Sequence, residues 1–318
     1  MKSALRPLRR ELRQVYFGGS LPRRYTRPYC HGARLQRHEE SSVCSSVSES
    51  EVQKFNALHT EWWDPNKNPL IQMNTIRVQY IREQVTSFFP RDTETSNSPD
   101  PLVETKSDLF ESSDSVHLPF QGLRMLDIGC GGGLLTESMS RLGAEEATGI
   151  DPSGSLLDVA RRRADTLLPT RAVKPSYQSA TAEDWSQQYQ KHYDVICILD
   201  VIEHIPKLDS VFQAISTLLK PNGVLFMSTL NRTVGSYALT IVGAEYVMGY
   251  VPAGTHDWNY YRSPQEVQEL LRQYDLQQAH VSGMVLRQPP VLKWDWRLDP
   301  NDTNINWIGS YQFSSLKK

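Results

Sequence analysis

Apolar positions along this chain change period several times, and each change predicts an element. Val52, Phe55, Leu58 and Trp62 recur at helical spacing and predict a helix that stops at the Asp64-Pro65 turn. A second helix is predicted from about 69 to 89, with Ile76, Tyr80 and Ile81 among its apolar positions. From Leu123 onward, short apolar runs alternate with amphipathic stretches. Strands are predicted over 123–129, 147–151, 176–180, 193–200 and 224–230, and helices over 134–142 and 155 to about 167. A further helix, 264–274, opens with Ser263 as a suitable N-cap. Such alternation is the signature of an α/β fold, a mostly parallel sheet with helices on both faces. Residues 276–286 and 305–313 predict an antiparallel hairpin closing one edge, with Pro289-Pro290 and Asp299-Pro300 breaking the chain between them.

Composition divides the 318 residues further. Residues 1–37 carry ten basic side chains against one acid, Glu11, which leaves 24 basic and 35 acidic residues for the remainder. Leu5, Leu8, Leu12 and Val15 recur every three or four positions among the arginines, the Arg-rich, acid-poor pattern of a mitochondrial presequence. A nucleic-acid arm is the rival reading, and the acidic body disfavours it, so no nucleic-acid partner is expected. Residues 39–50 are serine-rich and read as a linker. The stretch 90–120 holds seven acids, two basic residues, many serines and four prolines, and reads as a disordered acidic insertion. The expected organisation is therefore a presequence and linker over 1–45, N-terminal helices over 50–89, the insertion over 90–120 and an α/β domain over 121–318. No apolar run approaches the roughly 20 residues that span a bilayer, so membrane contact is expected to be peripheral. Cys30, Cys44, Cys130 and Cys197 form no CxxC pair, which suits a reducing compartment.

Candidate chemistry begins at the end of the first strand, Leu126-Asp127-Ile128-Gly129-Cys130-Gly131-Gly132-Gly133. Gly129 and Gly131 let the backbone turn tightly and approach a ligand without a Cβ in the way. The run departs from the strict dinucleotide fingerprint. Asp127 places a carboxylate where it can orient the loop and a methionine ammonium. Asp151 ends the second strand, 22 residues after Gly129, where a carboxylate accepts ribose hydroxyls in the crevice at the strand C-termini. The pair favours S-adenosyl-L-methionine over NAD. Past the fourth strand, Asp200, Glu203 and His204 lie close together in Leu199-Asp200-Val201-Ile202-Glu203-His204. Two carboxylates and an imidazole suit Mg²⁺ or Mn²⁺ better than zinc. Loop hydrogen bonds alone are the other reading of the same three residues.

The stretches 52–89 and 122–307 resemble the ubiquinone-biosynthesis O-methyltransferase family, bacterial and mitochondrial. Lys54-Phe55 with Glu61-Trp62-Trp63-Asp64 resembles its N-terminal helix, and the glycine run followed by Glu137-Ser138-Met139 resembles its loop and first helix. More specific are Ser228-Thr229-Leu230-Asn231-Arg232, Val242-Gly243-Ala244-Glu245-Tyr246 and Gly254-Thr255-His256-Asp257-Trp258, which resemble the family's substrate-side segment. The resemblance implies a class I, Rossmann-like S-adenosylmethionine-dependent methyltransferase fold for the α/β domain. It implies cofactor contacts at Arg77, Gly129, Asp151 and Leu199, and magnesium ligands at Asp200, Glu203 and His204, with Asp200 standing where the family has a glutamate.

The implied reaction is attack of a catechol hydroxyl of a prenylated quinone precursor on the sulfonium methyl, with positioning as the enzyme's main contribution. No residue announces itself as the general base; His256 or a carboxylate is the candidate, and a loop-organising role is the preferred reading of His256. Val234 to Val251 is richer in apolar and aromatic residues than a core helix needs, and is expected to meet the bilayer surface. The resemblance further implies other ubiquinone-biosynthesis proteins as partners in a membrane-associated complex, at the matrix face of the mitochondrial inner membrane. Two other functions stay open at this point, an O-methyltransferase for a soluble small molecule and a non-catalytic assembly factor with the same fold.

Overall fold

A computed structural model describes residues 48–57, 59–65, 67–90, 118–167, 172–247, 254, 256–287 and 295–314. The expected presequence over 1–45 and nearly all of the acidic insertion lie outside the described residues.

Helix α1 (Glu49–Ala57) and helix α2 (Leu70–Phe88) precede the sheet. Strands β1 (Arg124–Ile128), β2 (Glu146–Ile150) and β3 (Ser176–Gln178) alternate with helices α3 (Leu134–Arg141) and α4 (Gly154–Leu167). Helix α5 (Ala182–Gln188), strand β4 (Tyr193–Leu199), helix α6 (Leu208–Leu218) and strand β5 (Leu219–Leu230) follow. After β5, a single turn, Val234–Ser236, runs into a π-helix, Tyr237–Val247. Helix α7 (Pro264–Leu271) begins with a capping box in which Ser263 and Glu266 each accept the other's backbone N–H, as the N-cap expectation required. Strands β6 (Leu276–Leu286), β7 (Trp296–Asp299) and β8 (Asn306–Phe313) complete the fold.

The eight strands lie in the order β3-β2-β1-β4-β5-β8-β6-β7. The pairings from β3 to β5 are parallel, and those involving β6, β7 and β8 are antiparallel. Alternate residues face opposite sides. Leu126, Ile196, Ile198, Leu225 and Met227 pack with Phe212 and Ile215 of α6, while Met125, Val195, Cys197, Val224 and Phe226 pack with Ile76, Tyr80 and Ile81 of α2. Both faces are covered, which explains why these strands read as unbroken apolar runs.

The expected antiparallel hairpin is present: β6 pairs with β8, and β8 joins it to β5 and is buried from Asn306 to Tyr311. The outer edge is β7, a four-residue strand in the stretch read as broken; it ends at Asp299, directly before Pro300. Pro289 and Pro290 lie outside the described residues. The first helix also stops at Ala57, so Trp62 sits in the turns beyond it rather than on its face.

Candidate active site

The chain passes from β1 outward to β2 and β3, then crosses back to β4 on the other side of β1. Such a reversal opens a crevice at the strand C-termini. The loops after β1, β2 and β4 meet there and line one pocket, together with Arg77 of α2 and Glu51, Val52 and Phe55 of α1.

Gly129, Gly131 and Gly133 adopt φ values of 71°, 52° and 83°, in the left-handed region that other residues rarely occupy. A Cβ on Gly129 would meet Val201, and one on Gly131 or Gly132 would meet the Trp62 indole. Asp127 is buried, and its Oδ2 accepts the Thr136 N–H at 3.1 Å and the Thr136 hydroxyl at 2.7 Å, bracing the loop from β1 to α3. Burial pushes its carboxyl up to about 7 against those two hydrogen bonds. Asp151 accepts the Gly131 N–H at 2.9 Å through Oδ2 and the Ser153 N–H at 2.7 Å through Oδ1. Burial raises its pKa as well. Each Asp151 oxygen keeps a lone pair for a ligand hydroxyl. Leu199, at the end of β4, contributes an apolar wall.

Arg77 is buried and forms an ion pair with Asp200. Burial lowers its guanidinium to about 10, with Glu203 and Asp127 opposing that shift. Its Nε is buried and has no acceptor within the protein. Asp200 holds a left-handed φ of 54°, uncommon for a residue with a side chain, and its Oδ1 accepts the Ser228 hydroxyl at 2.6 Å. Glu203 is buried and accepts the Thr229 hydroxyl at 2.8 Å. His204 donates from Nδ1 to Glu51 Oε2 at 3.0 Å, since a carboxylate can only accept. That bond is the main reason the Glu51 carboxyl is held down at about 2. Asp200, Glu203 and His204 thus turn to three separate partners. Among the described residues, no group of three or more His, Cys, Asp or Glu side chains is arranged to hold a metal ion.

His256 lies outside the pocket lining. It donates from Nδ1 to Glu245 at 2.8 Å, and Glu245 also accepts the N–H groups of Gly254 at 2.7 Å and His256 at 2.9 Å. Its imidazole is shifted below the ordinary range by burial, which outweighs Glu245. The His256 and His204 rings are 6.1 Å apart. Sequence reasoning passed over Glu51, Asn56 and Trp62 as site residues. Trp62 was legible within Glu61-Trp62-Trp63-Asp64, whereas Glu51 and Asn56 carry no local signal.

A parallel sheet that reverses beside a glycine loop, with a carboxylate closing the next strand and an antiparallel strand beside β5, is the arrangement of class I adenosylmethionine-dependent methyltransferases. Residues 73–281 match the family model described as a methyltransferase domain. The chain belongs to the family of ubiquinone biosynthesis O-methyltransferases. It is 39% identical over 269 residues to the Cereibacter sphaeroides member, covering 84% of this chain and 97% of that one. The Ruegeria pomeroyi and Pelagibacter ubique members are 37% and 35% identical, and the matches cover 95% and 98% of their lengths. Two solved structures share the fold. Magnesium protoporphyrin IX methyltransferase from Synechocystis, with bound SAH, superposes with a TM-score of 0.53 at 17% identity, covering 82% of this chain and 97% of that one. A possible histamine N-methyltransferase from Thermotoga maritima gives 0.51 at 12%, covering 83% and 100%.

Proposed function

We propose that this protein transfers the methyl group of S-adenosylmethionine to a catechol hydroxyl of a prenylated ubiquinone precursor, 3,4-dihydroxy-5-polyprenylbenzoate or demethylubiquinol. The observation that carries this reading is the near full-length match to the O-methyltransferases of ubiquinone biosynthesis, joined to an intact crevice. Asp151 offers its two free lone pairs to the ribose hydroxyls. The orphaned Arg77 Nε–H is a donor for the cofactor carboxylate. Asp127 faces the methionine ammonium, and Leu199 packs against the adenosine. Held this way, the sulfonium methyl meets the acceptor in line, and the reaction draws its rate from position. His256, kept neutral by its surroundings and oriented by Glu245, is the candidate to take the hydroxyl proton.

The donor types of Asp200, Glu203 and His204 suit Mg²⁺, but their present arrangement does not fit it. Arg77, Thr229 and Glu51 engage them separately, and no step above runs through a metal. Loss of methyl transfer in excess chelator, regained with Mg²⁺, is the result that would restore the ion to the reading.

The acceptor's tail calls for a surface at the bilayer. Val234, Tyr237, Leu239, Val242, Tyr246 and Trp258 are exposed along and beside the π-helix, and Glu245 of the same helix holds His256 close to His204. An apolar ridge this near the pocket suits peripheral contact with inner-membrane lipid on the matrix side, and with the other ubiquinone-biosynthesis proteins there. No helix among the described residues is long and apolar enough to cross a membrane. Mass spectrometry of quinone intermediates in cells lacking the protein tests the function directly. Accumulation of the unmethylated catechol is expected, and an unchanged profile would overturn the reading.

A further inference from the structure

Helix α1 roofs the pocket with side chains that are at most half-buried. Ser48, Glu51, Val52 and Phe55 all line the cavity, yet no residue of the helix is buried. Nine residues whose apolar positions, Val52 and Phe55, are only half-buried are too few for a helix to persist by itself. Its position therefore depends on those two side chains and on a few polar catches, one of them Lys54, which donates to the Gly254 carbonyl at 3.2 Å. Glu51 accepts from His204 at 3.0 Å, beside the loop that follows β4. Asn56 Oδ1 accepts the hydroxyl of Ser153 at 2.6 Å, in the loop that presents Asp151, and that of Ser155 at 2.7 Å, in the first turn of α4. Phe55 adds an edge-on ring contact with His204, centroids 5.0 Å apart.

The segment that follows is anchored quite differently. Trp63 donates to the Gly132 carbonyl at 3.0 Å, and the Arg163 guanidinium lies 3.5 Å over its ring while bonding Glu137 at 2.8 Å. Trp62 packs over Gly131 and Gly132, and Asn68 donates to its carbonyl at 2.8 Å. A fixed pivot at Trp62-Trp63 thus carries a lightly held helix across the mouth of the pocket.

We propose that α1 is a lid that opens for the cofactor to enter and leave, and that Glu51 and Asn56 are the positioning residues that hold it shut. Asn56 fastens the ribose side through Ser153 and Ser155. Glu51 fastens the acceptor side through His204, so an acceptor or product that contacts His204 competes with Glu51 and loosens the lid. Cofactor exchange is in this way coupled to occupancy of the acceptor site. The inference rests on the reading above only in that S-adenosylmethionine binds this crevice.

Stopped-flow measurement of S-adenosylhomocysteine exchange on the full chain tests it. Glu51→Ala and Asn56→Ala should each speed dissociation about tenfold, because lost contacts act mainly on the off-rate. Association should not slow and the melting temperature should not fall, since neither side chain belongs to the core. Glu51→Gln, which keeps a carbonyl acceptor for the His204 N–H, should stay near the parent. Backbone amides of residues 49–57 should exchange hydrogen quickly in the free protein and slowly with the cofactor bound. Dissociation rates within twofold of the parent, or affinity lost through slower association, would overturn the lid. Failure of the parent to bind S-adenosylmethionine would instead sink the proposed function, so the two failures are distinct.

Discussion

The carboxylate of Asp151 accepts the backbone N–H of Gly131 at 2.9 Å, joining the loop after β1 to the end of β2 across the mouth of the crevice. A residue chosen to hold ribose hydroxyls is thus also a brace for the loop that accommodates the rest of the ligand. Asp151→Ala should weaken S-adenosylmethionine binding by about 2–4 kcal/mol, as a charge-assisted acceptor and its loop contact are lost together. Equal calorimetric affinity in the two proteins would refute the assignment.

If Asp127 faces the cofactor ammonium as proposed, cofactor binding carries a pH dependence whose sign follows from the burial of Asp127. Its carboxyl sits at about 7 in the free protein because burial disfavours the charged form. A bound ammonium favours the carboxylate, so below about pH 7 cofactor uptake must expel a proton. Affinity should rise with pH up to that point and level off above it. Calorimetry in buffers of different ionisation enthalpy should show proton release at pH 6 that disappears at pH 8. Asp127→Asn should abolish the release.

Arg77 is ion-paired with Asp200, and the nearby carboxylates of Glu203 and Asp127 also favour its charge. Arg77→Met should destabilise the protein by about 3–5 kcal/mol, because a buried charge left alone costs more than the pair contributes. Chemical denaturation measures this. A loss below 1 kcal/mol would show that water or rearrangement replaces the guanidinium.

Glu203→Ala separates the two roles open to that side chain. As the buried acceptor for Thr229, its removal strands a hydroxyl and should lower stability by about 1–3 kcal/mol with no metal present. A metal-ligand role predicts the opposite profile, with methyl transfer lost and thermal unfolding unchanged. Adenosylmethionine binding should survive excess chelator under either role.

The exposed ridge predicts lipid dependence. Serine at Tyr237, Val242 and Tyr246 should cut co-flotation with anionic vesicles several-fold, as each removes apolar area available to the interface. Folding and cofactor affinity should be unaffected, since all three side chains face solvent. Equal flotation of parent and variant would refute the ridge as a membrane contact.

Much of the crevice was readable residue by residue. A left-handed turn needs glycine whatever surrounds it, so Gly129, Gly131 and Gly133 announce the loop locally. Asp127 and Asp151 end strands whose apolar runs are unmistakable, which fixes both carboxylates at the C-terminal edge of the sheet. The Asp200–His204 cluster was visible too, but not its partners, because Arg77, Thr229 and Glu51 come from distant parts of the chain.

The sequence by itself determined what depends on short spacing: the period of most helices and strands, the glycine loop, the Ser263 cap and the alternation that makes a parallel sheet covered on both faces. Only the tertiary structure decided what depends on pairing between remote segments. β8 slots between β5 and β6 because a strand buried from Asn306 to Tyr311 needs neighbours on both sides, while β7, short and half-buried, takes the edge. Val234 and Tyr246 are as apolar as any core residue, yet they are exposed because the sheet faces are already filled by other helices. Periodicity records which face of an element is apolar; which neighbour covers that face is settled by the competition among all such faces for the same core.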